Sequence, residues 1–186
     1  NDRITNFYFN DQPNKQSEIQ IKDNEYIKLM FLGYHNFSLQ LHYHIIREEL
    51  FVTKIFINEN EKEKLFQREF KNYQIINHPF LPKFYGKSTI DFQECLVIEY
   101  IEGKTLDKIK EMNLTMNEKY KIIFEMLIVF EYLHKNNLVY RDLKPNNLIV
   151  NKNKDIVLID FDRMISVNDK INIEEKTIDF SHNYIA

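Results

Sequence analysis

Within Leu138–Asp162, LVYRDLKPNNLIVNKNKDIVLIDFD, stand Asp142, Lys144, Asn147 and Asp160. Two carboxylates, an amide and an ammonium this close together are costly in an apolar core. They are useful around a hard cation or a transferring phosphate, where oxygen ligands and fixed charges are needed. A second pairing lies further upstream. Lys54 sits in the middle of the apolar run ELFVTKIFI, and Glu69 lies on or beside an apolar helical stripe. By strand position alone Lys54 reads as a lysine on a solvated edge. A carboxylate on an apolar stripe, however, needs a cation, and Lys54 is the candidate.

Short elements must position these groups. Leu148–Val150 and Ile156–Ile159 are apolar runs separated by the polar turn Asn-Lys-Asn-Lys-Asp, so they are expected to pair as two buried strands. Upstream, Tyr26–Leu32, the alternation through Leu39, Leu41, Tyr43 and Ile45, and Glu49–Ile57 read as strands around the single glycine of that region, Gly33. Lys64–Asn77 has helical spacing with Phe66, Phe70, Tyr73 and Ile76 in one stripe, and His78-Pro79 ends it. Two strands follow, near Lys83–Ser88 and Glu94–Tyr100. After Gly103 come a short helix over Thr105–Lys110 and a longer one over Asn117–Asn136. On the longer helix, Tyr120, Ile123, Phe124, Leu127, Phe130 and His134 share a face, and Asn117 is placed to cap the first turn. Strands first and helices after give an α+β order. Residues 1–24 read as a polar extension with a short strand over Glu18–Ile21.

Composition narrows the partners. A formal charge of -3 on 186 residues with 44% hydrophobic content is globular and gives no electrostatic reason for nucleic acid or a membrane surface. A single cysteine, Cys95, excludes an internal disulfide and suits a reducing compartment, so a cytoplasmic location is the default expectation. No apolar run approaches the ~20 residues of a spanning helix. His42 and His44 share a strand face without a third ligand and read as a surface pair.

The segment YRDLKPNN followed by IDFD resembles the catalytic segment of eukaryotic-type protein kinases, H/Y-R-D-x-K-P-x-N, two short strands, then D-F-G. The resemblance covers Tyr26 to Ala186. It implies a two-lobe kinase fold: a β-rich N-lobe with the family's C helix over residues 25–101, and a partial helical C-lobe over 102–186. It also implies a Ser/Thr protein kinase using Mg-ATP on protein hydroxyls. Asp142 would accept the substrate proton and Lys144 neutralise the γ-phosphate. Lys54, oriented by Glu69, would hold the α- and β-phosphates. Asn147 and Asp160 would bind Mg²⁺. ATP would be met by Leu32, Gly33, Val52, Ile149 and the backbone of the hinge residues Glu99 and Ile101, with Ile98 as gatekeeper. Thr177 would be a phosphosite answered by Arg141, with Ser181 facing the substrate. Tyr73, Phe84, Tyr140 and Phe161 would stack as the family's regulatory spine.

Two positions depart from the family pattern. The G-x-G-x-x-G loop falls on Gly33, His35 and Ser38, with Phe37 as the aromatic at its tip. The D-F-G glycine is Asp162, which lacks glycine's backbone freedom and adds a negative charge near the metal site. These departures keep a second reading open, a pseudokinase or scaffold that turns over little or no nucleotide. Tyr184-Ile185-Ala186 is similar to the start of Y-x-A-P-E, so most of the large lobe is expected to lie beyond it. This stretch alone is expected to be inactive and to expose apolar surface over Tyr120–Phe130. In the full-length parent, Asp142→Asn and Lys54→Met are expected to abolish transfer while leaving the fold intact.

Overall fold

The computed structural model describes residues 25–34, 37–57 and 61–167. They divide between Tyr100 and Ile101 into two compact units. The first unit is a five-stranded antiparallel sheet of β1 (Tyr26–Tyr34), β2 (Phe37–His44), β3 (Glu49–Phe56), β4 (Phe84–Ile90) and β5 (Gln93–Glu99), in the order β1-β2-β3-β5-β4. One helix, α1 (Lys62–Ile75), packs on it.

Alternation along β3 decides what each face holds. Phe51, Thr53 and Ile55 point to one face, where Phe51, Ile55, Ile90, Cys95 and Val97 form a core cluster. Val52, Lys54 and Phe56 point to the other, toward the buried residues Phe66, Glu69 and Tyr73 of α1. Lys54 is therefore in a central strand and 2% exposed, not on a solvated edge.

His42 and His44 are likewise buried, at 0% and 4% exposure, rather than a surface pair. The register puts His42 opposite Phe51, on which it stacks at 5.1 Å, and its Nε2 shares a 3.0 Å hydrogen bond with Thr53 Oγ1. Burial, with the nearby positive charge of Lys28, lowers its pKa to about 4. His78, whose Nδ1 accepts from the Phe80 N–H at 3.2 Å, is lowered by burial to about 4 as well. The Cys95 thiol, wholly buried, is pushed up to about 12 by desolvation and stays protonated.

The second unit contains the three-stranded sheet of β6 (Gly103–Thr105), β8 (Leu148–Asn151) and β9 (Ile156–Leu158), in the order β6-β8-β9. It also holds the pair β7 (Leu138–Val139) and β10 (Ile165–Ser166), a 3₁₀ helix over Leu106–Glu111, and α2 (Met116–Lys135). The cap of α2 is Thr115, not Asn117. The Thr115 Oγ1 accepts from the Glu118 N–H, and the Glu118 carboxylate accepts from the Thr115 N–H in return. The buried face of α2 carries Ile122, Glu125, Val129 and Leu133. The apolar stripe read from sequence is largely exposed, as expected over Tyr120–Phe130, with Tyr120, Phe124 and Leu127 all above 60%. Gly103 is fixed by packing, since a Cβ there would lie 2.3 Å from the Val150 carbonyl oxygen. No helix among the described residues is long and apolar enough to cross a membrane.

The two depressed histidines set an acid limit. Each is neutral when folded but protonates near 6.5 when unfolded, so its stabilising effect is complete above pH 6.5 and is lost as pH falls toward 4. Denaturant melts between pH 6.5 and 5 are expected to lose stability with a slope of up to about two protons. His42→Phe is expected to remove about one of them; an unchanged slope in that variant would refute the assignment.

Candidate active site

The first unit supplies a cation held in an apolar setting. The β2–β3 register pairs Leu39 with Lys54, and β3–β5 pairs Lys54 with Leu96, so bulky apolar residues flank the lysine on both sides. Its Nζ lies 2.6 Å from Glu69 Oε2 on α1, with side-chain exposures of 3% and 0%. Helix α1 presents Glu69 here because Phe66 and Tyr73, three residues before and four after, lie on the same stripe and are buried against the sheet. Two rings complete the surroundings: Phe37 is centred 3.9 Å from the ammonium and Phe56 5.4 Å from it. The Phe37 contact was not anticipated from the sequence, although the register allows it. Phe37 pairs with Phe56 two residues along the same face.

The other N-terminal candidates are on this unit too. Leu32 is 42% exposed on β1 and Val52 lies on β3 beside Lys54. Gly33 is not demanded by packing, since a Cβ there would meet only Leu39 Cδ1 at 4.0 Å. Ser38 faces away from Lys54, buried on the opposite side of the sheet and accepting from Gln40 Nε2, so its Cβ does not crowd the lysine. His35 lies outside the described residues. At the end of β5, the Glu99 N–H donates to the Lys83 carbonyl, so a hydrogen bond from its backbone to a base would have to use its carbonyl. Tyr73 and Phe84 stack at 5.0 Å within this unit, while Tyr140 and Phe161 meet edge-on at 5.8 Å within the second.

In the second unit the chain turns sharply around one carboxylate. Asp142 is 5% exposed, and its Oδ2 accepts from Lys144 Nζ at 2.7 Å and from Asn147 Nδ2 at 2.9 Å. Asn147 also donates to the Asp142 carbonyl at 3.0 Å. Asn147 is held by the 3₁₀ turn Pro145–Asn147, and its carbonyl accepts from the Ile159 N–H, tying the end of β9 to this loop. Beneath, α2 anchors the β8–β9 turn: buried Glu125 accepts from the Ile156 N–H at 2.9 Å, and Lys121 pairs with Asp155. Burial raises the Glu125 pKa, and burial followed by the charge of Asp160 raises that of Tyr140, whose hydroxyl donates to the Ile159 carbonyl. The sequence had not marked out Glu125.

Asp142, Asp160 and Asp162 bring carboxylate oxygens within 4.8 Å of one another. Asp162, read from sequence as a departure, is thus a third acid in the same cluster. Its backbone does not take the left-handed conformation. The strain instead falls on Arg141 (φ 66°) and Asp160 (φ 67°), which hold it without glycine's freedom. The Arg141 side chain donates from Nε to the Arg163 carbonyl at 2.9 Å. Ile101 and Ile149 also lie in this unit, whereas Thr177 and Ser181 fall outside the described residues.

A family model described as protein kinase domain matches residues 26–186. The chain belongs to the protein kinase family. Among curated proteins, this kinase chain is 36% identical over 121 residues to the serine/threonine-protein kinase KIPK1 of Arabidopsis thaliana, a match covering 61% of the chain and 13% of that protein. It is 29% identical over 112 residues to the SNF1-like protein kinase ssp2 of Schizosaccharomyces pombe, covering 60% and 19%. It is 37% identical over 114 residues to the serine/threonine-protein kinase RHS3 of Arabidopsis thaliana, covering 59% and 21%. The chain spans about a fifth or less of the length of each of these relatives.

The burial of the ion pair alters one expectation. Removing Lys54 leaves the Glu69 carboxylate in an apolar site, so Lys54→Met is not structurally neutral. It is expected to cost about 3 kcal/mol in denaturant unfolding, and adding Glu69→Gln to recover part of that loss. A single variant as stable as wild type, or a double variant less stable than the single, would contradict a paired core.

Proposed function

We propose that the protein containing this chain is a Ser/Thr protein kinase, transferring the γ-phosphate of Mg-ATP to protein hydroxyls. The observation that carries the reading is Asp142. A nearly inaccessible carboxylate is held between the Lys144 ammonium and the Asn147 amide, with two further carboxylates beside it. Such an arrangement is expensive for stability and suited to phosphoryl transfer, which depends on positioning and on fixed charges facing the phosphate oxygens.

The donor set suits a hard divalent ion. The carboxylates of Asp160 and Asp162 and the amide oxygen of Asn147 are oxygen ligands of the kind Mg²⁺ takes. Once bound, the ion would offset charge on the transferring phosphate. Asp142 accepts the proton of the incoming serine or threonine hydroxyl. Lys144, already paired with Asp142, holds that carboxylate in place and presents positive charge to the γ-phosphate. Asn147 donates to the Asp142 carboxylate and to its backbone carbonyl, so the base keeps one orientation. Lys54, kept charged and aimed by Glu69, holds the remaining phosphates. Lys144 two residues after Asp142, together with relatives named as serine/threonine kinases, supports hydroxyl substrates on serine and threonine rather than tyrosine.

A scaffold without turnover is the second reading, favoured by the ring over Lys54 and by the single surviving glycine at Gly33. The test uses the full-length parent. Asp142→Asn is expected to lower γ-phosphate transfer by at least about 100-fold, with the Mg-ATP-induced rise in melting temperature retained. Transfer unaffected by that change would sink the assigned base. A wild-type protein whose melting temperature ignores Mg-ATP would favour the scaffold.

A further inference from the structure

We infer that Phe37 is a built-in cover over Lys54, which must swing aside before a phosphate can reach the lysine. This rests on the reading of Lys54 as the group that holds nucleotide phosphates. The first argument is geometric. The Lys54 ammonium meets Glu69 Oε2 at 2.6 Å, the Phe37 ring at 3.9 Å and the Phe56 ring at 5.4 Å, and only 3% of its side chain reaches solvent. A phosphate oxygen must come to about 2.8 Å of the nitrogen to accept a hydrogen bond from it. A ring face at 3.9 Å occupies one of the directions from which such an oxygen would come.

The second argument is the register. Phe37 pairs with Phe56 and Leu39 with Lys54, so Phe37 and Lys54 are diagonal neighbours on one face of the sheet. The cover is thus set by strand pairing. The two rings meet edge-on at 6.4 Å, which steadies the closed position, and the ring's π face attracts the desolvated ammonium. Lys54 is then satisfied by Glu69 and Phe37 in the absence of nucleotide. Phosphates must compete with the ring, and apparent affinity is reduced by the fraction of molecules in which it is closed. A glycine-poor loop would thus provide autoinhibition: the residue at its tip sets how available the lysine is.

The test labels the parent protein with a small amine-reactive reagent and follows Lys54 by mass spectrometry, using Lys135, whose side chain is 71% exposed, as the internal reference. Mg-ATP affinity is measured alongside. Phe37→Ala is expected to speed Lys54 labelling several-fold relative to Lys135 and to tighten Mg-ATP binding about fivefold. Phe37→Leu, which keeps an apolar cover without the π face, is expected to fall between wild type and alanine, and it serves if the alanine variant does not fold. Unchanged or slower labelling overturns the cover. Faster labelling with unchanged or weaker nucleotide binding overturns its role in affinity. If neither protein binds nucleotide, the kinase reading fails while the labelling still decides the cover.

Discussion

The buried ion pair of Lys54 and Glu69 is the constraint on which the rest of the first unit depends. Neither charge can be left alone in an apolar core, so strand and helix must meet at one registration. That requirement fixes which face of β3 looks toward α1, and hence that Phe51, Thr53 and Ile55 look the other way. It also fixes which β2 residues come near the lysine. Leu39 and Phe37 do, while Ser38, Gln40 and His42 build the opposite face. A one-residue slip of β3 would turn Lys54 toward Ile90, Cys95 and Val97 on the opposite face and leave the Glu69 carboxylate buried without it.

The second unit answers a similar demand by hydrogen bonding. Asp142 is close to fully buried, yet its contacts come from residues two and five positions later, so a single tight loop satisfies it. The loop can be this tight because its far end is stitched to β9 through the Asn147 carbonyl, and β9 is stitched to α2 through Glu125. Arg141 and Asp160 take left-handed backbone at the two ends of this arrangement, next to the acids of the site.

Much of this was legible in the sequence, for physical reasons. Alternation and helical spacing located the strands of the first sheet and α1, because burial on one face leaves a periodic trace. The order of motifs identified the kinase resemblance and named Lys54, Glu69, Asp142, Lys144, Asn147 and Asp160. The misreadings share a cause: single positions do not reveal what lies across a sheet or beside a helix. His42 and His44 are polar residues on a buried face, made tolerable by Thr53 and by ring contacts with Phe51 from the neighbouring strand. The apolar stripe of α2 is exposed as expected over Tyr120–Phe130, but the side that packs in the described residues, which carries Glu125, was not read from the sequence. The Thr115 cap could have been found from the Thr-x-x-Glu spacing. The pleat turns the Ser38 side chain away from Lys54, and it is Phe37 that reaches the lysine.

The central claim is the proposed one, that the protein containing this chain transfers phosphate to serine or threonine. Phosphoamino-acid analysis of products made by the full-length parent with γ-labelled ATP and Mg²⁺ tests it most directly. The account requires label on serine or threonine of a protein substrate and none on tyrosine. Protein that binds Mg-ATP yet leaves all label in ATP, or places it on tyrosine, would contradict it.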